Sequence, residues 1–170
     1  MAIEEPSYSV VSKTESYEIR KYGPIIVAET KVDADFEDAG NQAFRILAGY
    51  IFGGNKSKTK IAMTAPVSLS KSSGGFLVQF TMPKEYTLET LPIPNGARIN
   101  LRQMPARTVA VFTYSGFWSE SRYLEKLEEF QMALKKNAVL TKGAPEFARY
   151  NSPFQIWFLR RNEIWLEVTE

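Results

Sequence analysis

The chain is 170 residues long, with 44% apolar and 13% aromatic residues, enough for a hydrophobic core of its own. It contains no His and no Cys, which excludes Ser-His-Asp and Cys-His nucleophile pairs, Cys/His zinc sites and disulfides. Its 21 Lys and Arg nearly cancel 19 Asp and Glu, without a long block of like charge, so nucleic acid is not an expected partner.

The N-terminus MAIEEPSYSV is acidic and polar where a secretory signal is basic and then apolar. No apolar run approaches the roughly 18 residues of a membrane span, so a single cytoplasmic domain over 1–170 is expected. From Tyr17 to Val32, YEIRKY and IIVAETKV concentrate β-favouring residues on either side of Gly23-Pro24 and predict two paired strands. Asp33 or Asp35 caps a following helix whose apolar positions Phe36, Ala39, Ala43, Phe44, Leu47 and Ile51 keep helical spacing, with Gly53-Gly54-Asn55 as its stop. A loop bearing Lys56, Lys58 and Lys60 leads to a strand IAMTAPVSL, a Ser/Gly turn at 72–75 and a strand FLVQFTMP, together a hairpin. In the first of these strands Ile61, Met63, Ala65 and Val67 share one side, and Pro66 marks an edge or a bulge.

LPIPNGA, from Leu91 to Ala97, is a boundary too short for a flexible tether. The pattern then starts again, with INLRQMPARTVAVFTYSG resembling the opening strands and Arg102 and Pro105 placed as Arg20 and Pro24 are. A second helix begins near Ser119 and carries Tyr123, Leu124, Leu127, Phe130 and Leu134 on one face. FARYNSPF follows it as IAMTAPV follows the first helix, and EIWLEV closes the half. Halves spanning about 8–90 and 98–170 therefore repeat a strand-strand-helix-strand-strand unit. The predicted fold is α+β: a curved antiparallel sheet, or distorted barrel, with two long helices packed on it.

The strings YEIRKYGPIIVAET, TKIAMTAPV, FLVQFTMP and RRNEIWLEV, in this order and spacing, resemble the SOUL or haem-binding-protein family over nearly the whole chain. That family is itself akin to GyrI-like bacterial effector-binding domains. The resemblance implies non-enzymatic binding of haem or another tetrapyrrole, for carriage, buffering or sensing, between the first helix and the loop preceding the last strand. Carried onto this sequence, it assigns the pocket to Phe44, Arg45, Leu47, Tyr50 and Ile51, facing Phe154, Trp157 and Phe158, with Arg160 and Arg161 for the propionates. Some members hold iron through a His, which this chain lacks; Tyr50, Tyr150 and Met63 remain as ligand candidates, and no spacing selects one.

The residues themselves support two readings of SPFQIWFL. As a loop it forms an apolar surface beside two guanidinium groups, suited to a hydrophobic anionic small molecule. As a strand it buries alternate residues in the core. An exposed patch of this kind equally serves a protein partner or a homodimer. Arg20 and Arg102 either pair internally with Glu18, Glu29 or another carboxylate or meet a ligand, and the three loop lysines are either solvated or anion-facing. A hydrolase of GyrI-like type would have to use Glu163 and Glu167 with Tyr150 and Tyr114 as acid and base.

Overall fold

The computed structural model describes residues 3–150 and 156–169. In chain order these form β1 (Tyr8–Lys13), β2 (Glu18–Tyr22), β3 (Ile25–Val32), α1 (Phe36–Ile51), β4 (Val67–Ser72), β5 (Gly75–Thr81), β6 (Asn100–Met104), β7 (Arg107–Tyr114), α2 (Glu120–Lys136), β8 (Thr141–Arg149), a 3-10 turn (Trp157–Leu159) and β9 (Asn162–Val168). The order strand-strand-helix-strand-strand thus occurs twice after β1. All nine strands join one curled antiparallel sheet in the order β1-β2-β7-β9-β8-β4-β5-β3-β6, with both helices packed on it, an α+β half-barrel.

The expected pairing of the two strands around Gly23-Pro24 is not what forms. β2 pairs with β7, Glu18 opposite Val111 through Tyr22 opposite Arg107, and β3 pairs with β6, Ile25 opposite Met104 through Glu29 opposite Asn100. Residues 18–29 and 100–111 therefore make one long ribbon that bends at Gly23-Pro24 and Pro105-Ala106 without losing register. The reason is local. A two-residue hairpin needs positive φ in its loop; Pro24 is locked at negative φ, and Gly23 does not adopt positive φ either. By contrast, Ser73-Gly74, with Gly74 at φ +80°, closes the β4–β5 hairpin as anticipated. A second correction concerns IAMTAPVSL, whose strand begins only at Val67. The preceding residues carry a cis Ala65–Pro66 bond and an isolated parallel bridge from Thr64 to Glu4.

Both helices follow their sequence signals. Asp35 caps α1 by accepting from the Asp38 amide, and Ser119 caps α2 by accepting from the Arg122 amide. Past the end of α1, Gly53 takes φ +109° and the Gly54 amide donates to the Gly49 carbonyl at 2.8 Å. The main core lies between helices and sheet. Phe36 of α1 stacks on Tyr123 of α2 at 5.0 Å and on Phe147 of β8 at 5.6 Å, while Phe130 of α2 stacks on Phe112 of β7 at 5.5 Å. Leu124, on the apolar face assigned to α2, is instead 52% exposed.

Among the described residues no helix covers the opposite face of the sheet, yet Arg20, Glu29, Gln79 and Glu163 are buried there. The curl of the sheet closes this face on itself, and each charge meets a partner. Glu29 accepts from Gln79, Asn100 and Arg102. Arg107 makes a two-bond fork to Glu146 at 2.6 and 3.0 Å. β8 reaches this arrangement through a bulge between Lys142 and Glu146, where Gly143 takes φ +76°.

Candidate functional site

Strand register places Tyr114 of β7, Asn162 of β9, Arg149 of β8, Val67 of β4 and Phe80 of β5 in one row. Directly paired residues share a face, and this row lies on the helix-covered side with Phe147 and Ile164 two positions away. α1 crosses the row. Phe44 rests on Phe80, ring centroids 5.8 Å apart, and Gly40 lies so near Arg149 that a Cβ there would sit 2.6 Å from its Nη1. A side chain at position 40 would have to displace that guanidinium.

Trp118, just before α2, forms the other wall. Its indole donates to Asn162 Oδ1 at 2.6 Å, and the Asn162 amide donates to the Gly116 carbonyl at 3.1 Å, which fixes the ring. Two guanidinium groups converge on that ring, Arg149 at 4.8 Å and Arg160 at 4.3 Å from its centroid. Arg149 Nε is sealed from solvent without a hydrogen-bond acceptor, and no carboxylate pairs with Arg149 among the described residues. Burial pulls its guanidinium down to about 10, Tyr114 opposing and Arg160 reinforcing the shift, so the group remains cationic at neutral pH. The Tyr114 hydroxyl is likewise buried without a partner, and burial pushes its ionisation well above the ordinary phenol range. The result is an electropositive, aromatic-walled seam between α1, Trp118 and the segment preceding β9.

Of that segment the structure describes Ile156 onward. Trp157–Leu159 form a 3-10 turn, with Ile156, Phe158 and Leu159 each more than half exposed. The two arginines that follow diverge. Arg160 goes to Trp118, whereas Arg161 bonds Glu5 at 2.8 Å and covers the Tyr150 ring at 3.7 Å. The helix residues separate in the same way. Phe44 and Arg45 are exposed, while Leu47, Tyr50 and Ile51 are sealed in the core, the Tyr50 hydroxyl donating to the Pro92 carbonyl. Phe154 lies outside the described residues, and Trp157 opens the turn. Lys56, Lys58 and Lys60 are exposed, and Met63 is 40% exposed in the stretch before β4. Arg149 belongs to no motif. The signal for it was a charge at an inward strand position, two residues after core Phe147.

Of the four residues considered for hydrolysis, Tyr114 lies on the helix-covered face and Glu163, Glu167 and Tyr150 on the opposite one. Arg20 Nη1 donates to both Glu163 oxygens at 3.1 Å and the Trp165 indole donates at 2.9 Å, so the carboxylate is already engaged. Burial and the neighbouring Glu163 push the Tyr150 hydroxyl far above the usual phenol range. The cavity found on this face, between Trp165, Arg107, Glu146 and Gln79, has about 20 Å³, space for one water. A wider cleft of about 580 Å³ opens elsewhere, between Glu4, Pro24, Met82, Tyr86, Leu88 and Glu89. It is of ligand size, but its charged lining is Glu4, Glu5 and Glu89 against Lys84, the wrong sign for an anion.

A family model described as SOUL heme-binding protein matches residues 3–167. Heme-binding protein 2 of Mus musculus is 31% identical over 178 aligned residues, covering 97% of this chain and 86% of that protein. Heme-binding protein 2 of Homo sapiens is 32% identical over 160, covering 89% and 77%. Among solved structures, the EcmrR C-terminal domain is similar with a TM-score of 0.68 at 13% identity, over 96% of this chain and 98% of its own. A hydrolase from Listeria innocua gives 0.66 at 12% identity, over 94% of each chain. At these identities the solved structures speak to the fold alone.

Proposed function

This chain belongs to the SOUL haem-binding family, and from that membership we propose that it binds haem or another tetrapyrrole, without catalysis, in the seam between α1 and the turn before β9. One observation carries the reading: exposed Ile156, Phe158 and Leu159 stand just before Arg160, whose guanidinium lies over Trp118. Tetrapyrroles have apolar faces and anionic propionates, and this surface offers apolar side chains and cations. Phe44 and Arg45 of α1 supply the facing wall.

The residues present fit the macrocycle and its carboxylates better than its iron. Tyr50 is sealed in the core with its hydroxyl on Pro92, Tyr150 adjoins Glu163 on the far face, and the buried Tyr114 hydroxyl resists ionisation. Of the three ligand candidates only Met63, 40% exposed before β4, stays accessible, and the affinity is assigned to surface and charge. Covering on the order of 400 Å² of apolar surface at about 25 cal/mol/Å² gives roughly 10 kcal/mol, from which association entropy removes several. With about 1.5–3 kcal/mol returned by a propionate on a guanidinium, a dissociation constant in the micromolar range follows.

Haemin titration followed by absorbance and resonance Raman tests the reading, since the spectra report both binding and axial ligation. Saturable binding that weakens in Phe158→Ala supports it. A flat titration to about 100 μM sinks it, being too weak for a specific site. A protein that dimerises and never binds haemin would turn the same apolar patch into a protein interface.

A further inference from the structure

We propose that Arg149 is the group that receives the ligand's carboxylate, making the seam selective for flat aromatic acids over their neutral esters. The inference rests on the seam being the ligand site. Four other guanidinium groups have carboxylates of their own: Arg20 holds Glu18 and Glu163, Arg102 holds Glu29, Arg107 holds Glu146 and Arg161 holds Glu5. Arg122 is spent on the Ser115 carbonyl, at 3.2 and 2.8 Å. Arg149 has neither a carboxylate nor an acceptor for its sealed Nε among the described residues, although it is a charge set into the helix-covered face. Leaving a buried cation unpaired is costly, and a bound anion removes that cost.

The surroundings are built around this guanidinium. Gly40 stands in the interior of α1, where glycine is a poor helix former, and its missing side chain leaves the room that Nη1 occupies. Trp118, pinned by Asn162, sets an aromatic wall 4.8 Å from the cation, and Phe36 and Phe147 close the other sides at 5.9 and 5.1 Å. A planar acid can lie against the indole with its carboxylate on the guanidinium fork. Arg161, tied to Glu5, is not needed for this selectivity.

The test compares protoporphyrin IX with its dimethyl ester, read by quenching of tryptophan fluorescence, in the wild-type chain, Arg149→Met and Gly40→Ala. The wild type should prefer the free acid by about tenfold or more, the scale of one charge-assisted hydrogen bond. Arg149→Met should lose that preference while keeping its affinity for the ester. Gly40→Ala, which favours the helix and so guards against a merely unfolded variant, should lose it in part by displacing the guanidinium. An undiminished preference in both variants overturns the proposal. If neither porphyrin binds the wild type, the tetrapyrrole reading fails by itself, and 1-naphthoate titrated into ¹⁵N-labelled protein decides the role of Arg149. Shifts of both the Arg149 Nε–H and Trp118 Nε1–H resonances uphold the anion site, and unmoved resonances overturn it.

Discussion

Replacing Glu163 with Ala removes the carboxylate that engages a nearly buried guanidinium. Arg20 is 6% exposed and Glu163 2%, and the substitution deletes the contacts to Arg20 Nη1 and the Trp165 indole together. Breaking a buried pair from one side costs about 3–5 kcal/mol. Glu18 still accepts from Arg20 Nε at 2.8 Å and relieves part of the stranded charge, so the lower end, about 3 kcal/mol, is expected. For a domain of this size that is a fall in Tm of roughly 6–12 °C. Urea denaturation followed by far-UV circular dichroism measures the loss without relying on Trp165. The double variant Arg20→Met/Glu163→Met should lose less than Glu163→Ala alone, because no buried charge is left unpaired and Glu18 keeps Lys13 at 3.6 Å. Haemin binding should survive in both, since this pair and the seam occupy opposite faces of the sheet. A Glu163→Ala cost under about 1 kcal/mol would show that water reaches Arg20 and would refute the reading of a closed, self-paired face.

Other measurements follow from the same structure. Burial opposes ionisation of Glu29, but hydrogen bonds from Gln79, Arg102 and Asn100 outweigh it, and the bond from Arg20 lowers Glu18; both carboxyls sit below their ordinary 4.5. Their stabilisation is complete above that value and is lost as pH falls through the lowered pKa values, so Glu29→Gln should flatten the acid limb of a stability profile. Gly75→Ala would place a Cβ 2.0 Å from the Val32 carbonyl oxygen, a backbone atom that cannot turn aside. A loss of at least about 2 kcal/mol in denaturant unfolding is expected. Phe158→Ala and Leu159→Ala, at residues more than half exposed, should change the melting temperature little and weaken haemin binding severalfold.

The helices were legible because caps and spacing are local properties: Asp35 and Ser119 cap them, and Phe36, Leu47, Phe130 and Leu134 are buried as their period requires. The β4–β5 hairpin was legible because Gly74 supplies its turn. What β2 and β3 pair with was not, since their partners β7 and β6 lie some eighty residues away and Gly23-Pro24 resembles a turn signal while acting as a bend. At the candidate site, the sequence marked the apolar stretch before Arg160 but left it open between loop and strand, since composition does not fix the 3-10 turn of Trp157–Leu159. The fate of Arg161 could not be read, because its partner Glu5 is 156 positions distant. Arg149 looked like an ordinary strand residue until register set it beside Gly40 and Trp118.

The bulge in β8 has a consequence for how this chain can vary in length. Between the pairs Lys142–Glu167 and Glu146–Trp165, the three residues Gly143, Ala144 and Pro145 stand against Leu166 alone, an excess of two. An even excess preserves the parity of the strand, so Phe147 and Arg149 still point toward the helices and Ala148 away from them. Adding or deleting one residue here would invert the strand's end, sending Arg149 into the self-paired polar face and Ala148 under α1. A change of two residues would leave every downstream side chain where it is. Length at this bulge is therefore quantised in pairs, and a shift by one separates the cation from its glycine and its tryptophan in a single step.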